Sequence, residues 1–395
     1  MLAKQSSIRV ALALVALITI LVWYSSGSLS SPHRVSSFAD YGRKSGLLGD
    51  IGNATWGFED ILVVSLPTRT DRRDGMQLQA ALSEVRIKFV DAIIGKTIPD
   101  NAIPKTTQHD RMGDASIGSW RAHMNAIHEV VARNLSSALI LEDDVDWDIR
   151  IRQQLHDFAL SAQALTQPLT GSSHTYADPT YPHPAEGAPG AVPDLMFGSL
   201  PQTIPPKMSP YGDDWDLLWL GHCGMRFVSP ENPVAPKARV IHLNDETCPE
   251  KRYLWSITGP FKLVDDYPQH TRAVHHSEEG VCSLGYAISQ RGARKLLYEL
   301  GTKDLRDGFD ILLRFFCNGG GGRKPHMCLS LSPGLFHHHR AAGPLAAQSD
   351  IGDHGDGFRD QALTDMVRWS VRLNAETLLD GGTVFHDQYP NSDDA

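Results

Sequence analysis

Three neighbouring carboxylates, Glu142-Asp143-Asp144, follow directly on the apolar run Ala138-Leu139-Ile140-Leu141, with Asp146 and Asp148 close behind. Three adjacent negative charges repel one another. A divalent cation removes that penalty, and hard carboxylate oxygens suit Mg²⁺ or Mn²⁺. Their place matters as much as their type, because open α/β sheets bind ligands beyond the carboxyl ends of their strands. A solvated acidic turn is the other reading of such a triplet. A second cluster, Phe336-His337-His338-His339-Arg340, offers an imidazole to complete a metal site and an arginine to meet phosphate; alternatively it is a surface loop with adventitious metal affinity. Asp91 ends an apolar segment where an acid can accept hydrogen bonds from a base or ribose, and where a turn-forming Asp is equally at home. Arg69, Arg72 and Arg73 follow another apolar run; they suit a diphosphate, or form a solvated face.

The elements that must position these residues are legible as periodicity. Ile61 to Leu66, closed by Pro67, reads as a buried strand, and Arg72 to Val85 as a helix. Lys88 to Ala92 reads as a second strand. Ser116 to Arg133 reads as a helix with Trp120, Met124, Ile127 and Val131 on one face, and 138–141 as the strand that carries the acids. Asp216 to Gly221 resumes strand character. Ala287-Ile288-Ser289 leads into a helix with Ser289 as its N-cap, and Phe309 to Phe316 is a further apolar helix or buried segment. Residues 165–213 are dense in Pro, Gly, Ser and Thr and read as a loop insertion. Strands alternating with helices predict an α/β fold with a largely parallel sheet.

The remaining arithmetic narrows the class. The chain has 395 residues and a net charge of −9, with 41% hydrophobic and 21% charged residues, which excludes a disordered or fibrous chain. The acidic balance argues against a nucleic-acid partner. There is no P-loop and no G-x-S-x-G; Gly319 to Gly322 reads as a flexible loop. Val10 to Tyr24 is an apolar run behind Lys4 and Arg9, shorter than the roughly 20 residues a span needs. It reads as a short signal-anchor rather than a cleaved signal peptide, with residues 1–9 cytosolic and 25–58 a flexible lumenal stem. The expected setting is an endoplasmic reticulum or Golgi membrane with the bulk of the chain lumenal. The sequons at Asn53 and Asn134 agree with this, and five cysteines, with no CxxC pair, predict one or two disulfides and at least one cysteine outside them.

Taken in order, these pieces resemble glycosyltransferase family 25. The resemblance rests on Val64-Ser65-Leu66-Pro67 with Arg69, Asp71 and Arg72, on Gly118-Ser119-Trp120-Arg121-Ala122-His123, and on Leu139 to Asp144. It continues in Trp215 to Gly221, in Gly285-Tyr286-Ala287-Ile288-Ser289 through Leu297, and in Asp310, His337 to His339 and Ser349-Asp350-Ile351. Ser119 and Ala122 stand where the family's motif has Cys and Ser. The resemblance covers roughly residues 59–352 and implies a GT-A-like, Rossmann-type mixed sheet flanked by helices. The catalytic domain is expected over 59–358, with a C-terminal helix and tail over 359–395. The resemblance also implies a UDP-sugar donor (most often UDP-galactose or UDP-glucose), a Mn²⁺ or Mg²⁺ ion and an inverting transfer to a glycan or glycoprotein hydroxyl. On it, Asp144, Glu142 and His338 are the expected metal ligands, and Asp310 and Asp143 the catalytic acids. Asp310 is the candidate base, or else a helix cap. Ser65, Leu66, Arg69, Arg72, Asp91, His123 and Glu142 are the expected donor contacts, with a core histidine the other reading of His123. Two further classes stay open: a non-catalytic lumenal binding module on the same scaffold, and a metal-dependent phosphoesterase.

Overall fold

The computed structural model describes residues 46–104, 111–352 and 355–392. Strand β1 (Asp60–Ser65) is buried along its whole length, as is β3 (Ser137–Glu142) up to its last residue. Their continuous apolar sequence follows from burial on two faces. Ile61, Val63, Leu139 and Leu141 point into one core, and Leu62, Val64, Ala138 and Ile140 into the other. This is the period-2 alternation of a strand, filled on both sides.

The helices are α1 (Thr70–Leu82), α2 (Asp114–Ala132), α3 (Ile151–Thr166), α4 (Lys262–Asp266), α5 (Gln290–Tyr298), α6 (Phe309–Asn318) and α7 (Ala375–Leu379). Met76 and Ala80 of α1 and Leu155 and Phe158 of α3 fill the first core. Trp120, Met124 and Ile127 of α2, with Leu296 of α5 and Leu312 of α6, fill the second. The Ser289 hydroxyl accepts the Gly292 N–H at 3.1 Å and caps α5 as its sequence predicts.

The remaining strands are β2 (Lys88–Asp91), β4 (Val145–Asp146), β5 (Leu195–Met196), β6 (Leu217–Gly221), β7 (Gly224–Arg226), β8 (Arg239–His242), β9 (Arg272–His276), β10 (Glu278–Val281), β11 (Gly285–Ser289), β12 (Cys328–Ser332), β13 (His337–Arg340), β14 (Gly343–Pro344), β15 (Phe358–Arg359) and β16 (Leu363–Thr364). The main sheet has the order β2-β1-β3-β11-β6-β12-β9-β8-β5. It is mixed rather than largely parallel: four neighbouring pairs are parallel and four antiparallel. The departure comes from β11, antiparallel to β3 and β6, and from β9, antiparallel to β12 and β8; β11 is as apolar as its neighbours, so hydropathy carries no signal of its direction. β1, β2 and β3 are parallel and end together, with Ser65 opposite Asp91 and Val64 opposite Glu142.

The anchor segment 10–24 lies outside the described residues, among which no helix is long and apolar enough to cross a membrane. Residues 46–58, expected as the end of a stem, belong to the folded core. Trp56 is fully buried with its ring edge-on to Trp147 at 5.3 Å, and Ile51 and Phe58 are buried beside it. Few apolar residues there lent the stretch a stem's composition, but Ile51, Trp56 and Phe58 are large and turned inward. Cys223–Cys282 and Cys317–Cys328 are disulfides, and Cys248 is a buried free thiol.

Candidate functional site

The chain leaves β3 at Glu142, turns through Asp143 and Asp144, and returns as β4. β4 pairs antiparallel with β13, setting His338 opposite Val145, and the His339 N–H donates to the Asp144 carbonyl at 2.8 Å. This local reversal brings a histidine nearly two hundred residues distant beside the acidic tip. One ligand atom from each of Glu142, Asp144 and His338 lies within 4.8 Å of the others. Asp144 Oδ1 is buried and has no hydrogen-bond partner. A buried carboxylate oxygen left bare costs stability unless something positive meets it. Two carboxylates and an imidazole form a donor set that fits Mn²⁺ or Mg²⁺.

Glu142 is held from behind. Its Oε1 accepts the Ser283 hydroxyl at 2.7 Å and lies 3.5 Å from His123 Nε2. Burial pushes the Glu142 carboxyl up, but His123, Ser283 and His338 outweigh it and hold the group at about 2, well below the ordinary carboxylate range. His123 is itself almost fully buried on α2. It stacks on Phe309 at 4.2 Å, and its Nδ1 lies 3.2 Å from the Tyr286 hydroxyl. It is a core histidine, as one of its two readings has it, and it also lines the cavity beside Glu142.

Asp143 is paired with Arg72 of α1 at 2.7 Å, and the same guanidinium reaches Asp144 at 3.4 Å. Burial pushes the Asp143 carboxyl up, and Arg72 works against that. Arg72 therefore neutralises part of the acidic tip. Asp310, near the start of α6, accepts the Cys282 N–H through Oδ2 and the Ile311 N–H through Oδ1, each at 2.9 Å. The turn between β10 and β11 is a shared clamp. The Cys282 N–H fixes Asp310, the Ser283 hydroxyl fixes Glu142, and the Leu284 carbonyl accepts the Glu142 N–H at 3.0 Å.

These groups surround one cavity of about 580 Å³, within the usual range for small-molecule sites. Ser65, Leu66, Arg72, His123, Glu142, Asp143, Asp144, Asp310 and His338 all line it. Its opposite wall is the 92–95 segment packed on the start of α2. Gly95 is required there, because an added Cβ would fall 1.7 Å from the Asp114 carbonyl oxygen. Two expected donor contacts lie elsewhere. Asp91 is mostly exposed and pairs with Arg73, and Arg69 lines a neighbouring cleft and pairs with Asp71 and Asp350. In both cases an adjacent opposite charge captures the side chain.

Sequence reasoning missed the C-terminal support. Asp146 is fully buried and accepts from Gln79 at 2.8 Å, from the Thr364 hydroxyl at 2.8 Å and from Ser370. Arg372 donates to Gln79 at 2.7 Å and to the Asp143 carbonyl at 3.2 Å. Residues 363–372 thus back the acidic tip. The buried carboxylate in β4 was the one local signal that such a partner had to exist.

Residues 58–177 match the family model described as glycosyltransferase family 25 (LPS biosynthesis protein), a span that holds β1, α2 with His123, and the acidic tip. Over these residues the chain is similar to glycosyltransferase family 25. Among curated relatives, procollagen galactosyltransferase 1-A of Xenopus laevis is 25% identical over 222 residues, covering 53% of this chain and 29% of that protein. Procollagen galactosyltransferase 1 of Danio rerio is 24% identical over 253 residues, covering 61% and 28%. The inactive glycosyltransferase 25 family member 3 of Homo sapiens is 28% identical over 151 residues, covering 34% and 25%. The chain thus spans less than a third of the length of these relatives. Asp310 and His338 lie outside the span that matches the family 25 model, so their place in the site rests on the fold alone.

Proposed function

We propose that this chain is a metal-dependent, inverting glycosyltransferase that moves a hexose, galactose or glucose, from a UDP-sugar to a hydroxyl of a glycan or glycoprotein in the secretory pathway. The observation that carries this reading is the Asp144 carboxylate, with a bare, buried Oδ1, clustered with Glu142 and His338 at one cavity. Similarity to procollagen galactosyltransferases supports galactose as the sugar and collagen as an acceptor.

Asp144, Glu142 and His338 would hold the ion, which supplies Lewis-acid stabilisation of the negative charge that develops on a departing diphosphate. The rest falls to the chain. Ser283 and His123 aim Glu142, and Arg72, fixed by Asp143, keeps the charge of the tip within bounds. Asp310 keeps lone pairs free after its two backbone contacts. It takes the proton of the acceptor hydroxyl as that oxygen bonds to the anomeric carbon and the bond from that carbon to the diphosphate oxygen breaks. A single displacement inverts the configuration. Asp143, committed to Arg72, positions rather than accepts the proton.

The test is a screen of nucleotide sugars with the full chain and Mn²⁺, reading released UDP. Release from a UDP-hexose that stops in EDTA supports the proposal. Silence with every donor favours the non-catalytic binding module, the reading that the inactive human relative brings to mind.

A further inference from the structure

A nucleotide diphosphate brings two or more negative charges into a cavity already lined by Asp114, Glu142, Asp143, Asp144, Asp310 and Asp350. The ion offsets part of that charge, and an arginine must offset more. Of the five arginines near the acidic tip, four are spent. Arg372 is buried behind the tip, bound to Gln79 at 2.7 Å and to the Asp143 carbonyl at 3.2 Å. Arg72 is bound by Asp143 at 2.7 Å and by the Gln348 carbonyl at 2.8 Å. Arg69 lies in the neighbouring cleft, bound by Asp71 and Asp350. Arg73 is paired with Asp91.

The fifth is Arg340. It and Arg72 are the two arginines among the described residues that line the cavity. Arg340 lies in β13 two positions after His338, so the two side chains leave the same face of the strand, and both reach the cavity. His337 and His339 take the other face: His337 is buried, and the His339 ring contacts the Thr364 hydroxyl at 3.0 Å. The ion pair of Arg340 is a long one, 3.9 Å to Asp365 Oδ2. That is loose enough to yield to a better anion and close enough to keep the guanidinium near the cavity. The hold is built into the backbone, since β16 pairs with β13 through Leu363 opposite Arg340, and the Asp365 N–H donates to the His338 carbonyl at 3.1 Å.

We propose that Arg340 is the residue that receives the diphosphate of the donor, beside the ion held by His338, in place of the arginines that follow β1. This rests on the nucleotide-sugar reading above. A guanidinium meets two phosphate oxygens through a pair of parallel N–H donors, a geometry that neither a histidine nor the committed Arg72 can supply.

The test is calorimetric titration of the full chain in Mn²⁺ with UDP and, separately, with uridine, for wild type, Arg340→Met and Arg340→Lys. Arg340→Met weakens UDP about 10- to 100-fold, the loss of a charged hydrogen-bonding pair, and leaves uridine within about twofold. Arg340→Lys falls between, because it keeps the charge without the fork. An unchanged UDP affinity in Arg340→Met overturns the inference. So does an equal loss of UDP and uridine, which marks a merely structural residue. A wild-type chain that binds no UDP brings down the nucleotide-sugar reading itself, and that result is visible before any variant is measured.

Discussion

Asp310→Asn separates the proposed base from the other acids of the cavity. In the wild type both carboxylate oxygens accept backbone N–H groups, from Cys282 and from Ile311, each at 2.9 Å. Asparagine keeps the shape and one acceptor oxygen, so at most one of these contacts is lost. The stability cost is about 0.5–1.5 kcal/mol, a small share of a domain's folding free energy. The chemical cost is different in kind, because an amide cannot take the acceptor proton. Losing a positioned base slows transfer by about 10²–10⁴, which is ~2.7–5.4 kcal/mol of barrier. The assay is UDP release at saturating donor, with UDP affinity measured in parallel. Turnover falls by that factor, KM for the donor holds within about threefold, and Asp143→Asn shows a loss in donor binding as well as in rate. An Asp310→Asn enzyme that turns over within threefold of wild type would refute the assignment.

Three further outcomes follow from the geometry. The Cys223–Cys282 bridge closes a loop of 59 residues and anchors the turn that holds both Asp310 and Glu142. Replacing both cysteines by serine costs about 4 kcal/mol in denaturant unfolding and lowers turnover in the fraction that stays folded, so full turnover in that fraction would count against the clamp. Glu142 is held at about 2 against an ordinary 4.5. A depressed carboxyl contributes stability that is present above pH 4.5 and lost as pH falls toward 2. Urea midpoints in EDTA therefore decline over that window in the wild type, and Glu142→Gln flattens the decline by up to about 3 kcal/mol. Parallel curves for the two proteins would contradict this. Trp56→Ala destabilises the chain by about 3–5 kcal/mol, whereas a true stem residue would tolerate the change within about 0.5 kcal/mol in the same unfolding measurement.

What was legible in the sequence and what was not divides along physical lines. The acidic tip stood out because its signal is local: an apolar strand, then three charges with no room to be buried unpaired. β1, α2 and the Ser289 cap were legible for the same reason, each being a periodicity or a cap within a few residues. Residue type offered an imidazole of the 337–339 run to the metal site and the family resemblance agreed, but its approach to the tip left no local trace, since the β4–β13 pairing that produces it joins distant segments. Arg69 and Asp91 show the limit of reading charge by position. Each stands near the end of a strand, yet each is captured by a charge two to eighteen residues away. The Cys282-Ser283-Leu284 clamp and the Thr364–Ser370–Arg372 support left no local trace, because their partners are more than a hundred residues distant except where Cys282 meets Asp310. Residues 46–58 misled because the core they enter is built from three or four large side chains in an otherwise polar stretch.

The central claim is that Glu142, Asp144 and His338 together hold a divalent ion. The most direct measurement is Mn²⁺ titration of the full chain in the presence of UDP, followed by electron paramagnetic resonance, for wild type, Asp144→Asn and His338→Ala. The account predicts one Mn²⁺ per wild-type chain. It also predicts a loss in each variant larger than the 10- to 100-fold cost of removing an outer-shell partner, with thermal unfolding showing both still folded. Mn²⁺ affinity unchanged by Asp144→Asn would contradict it.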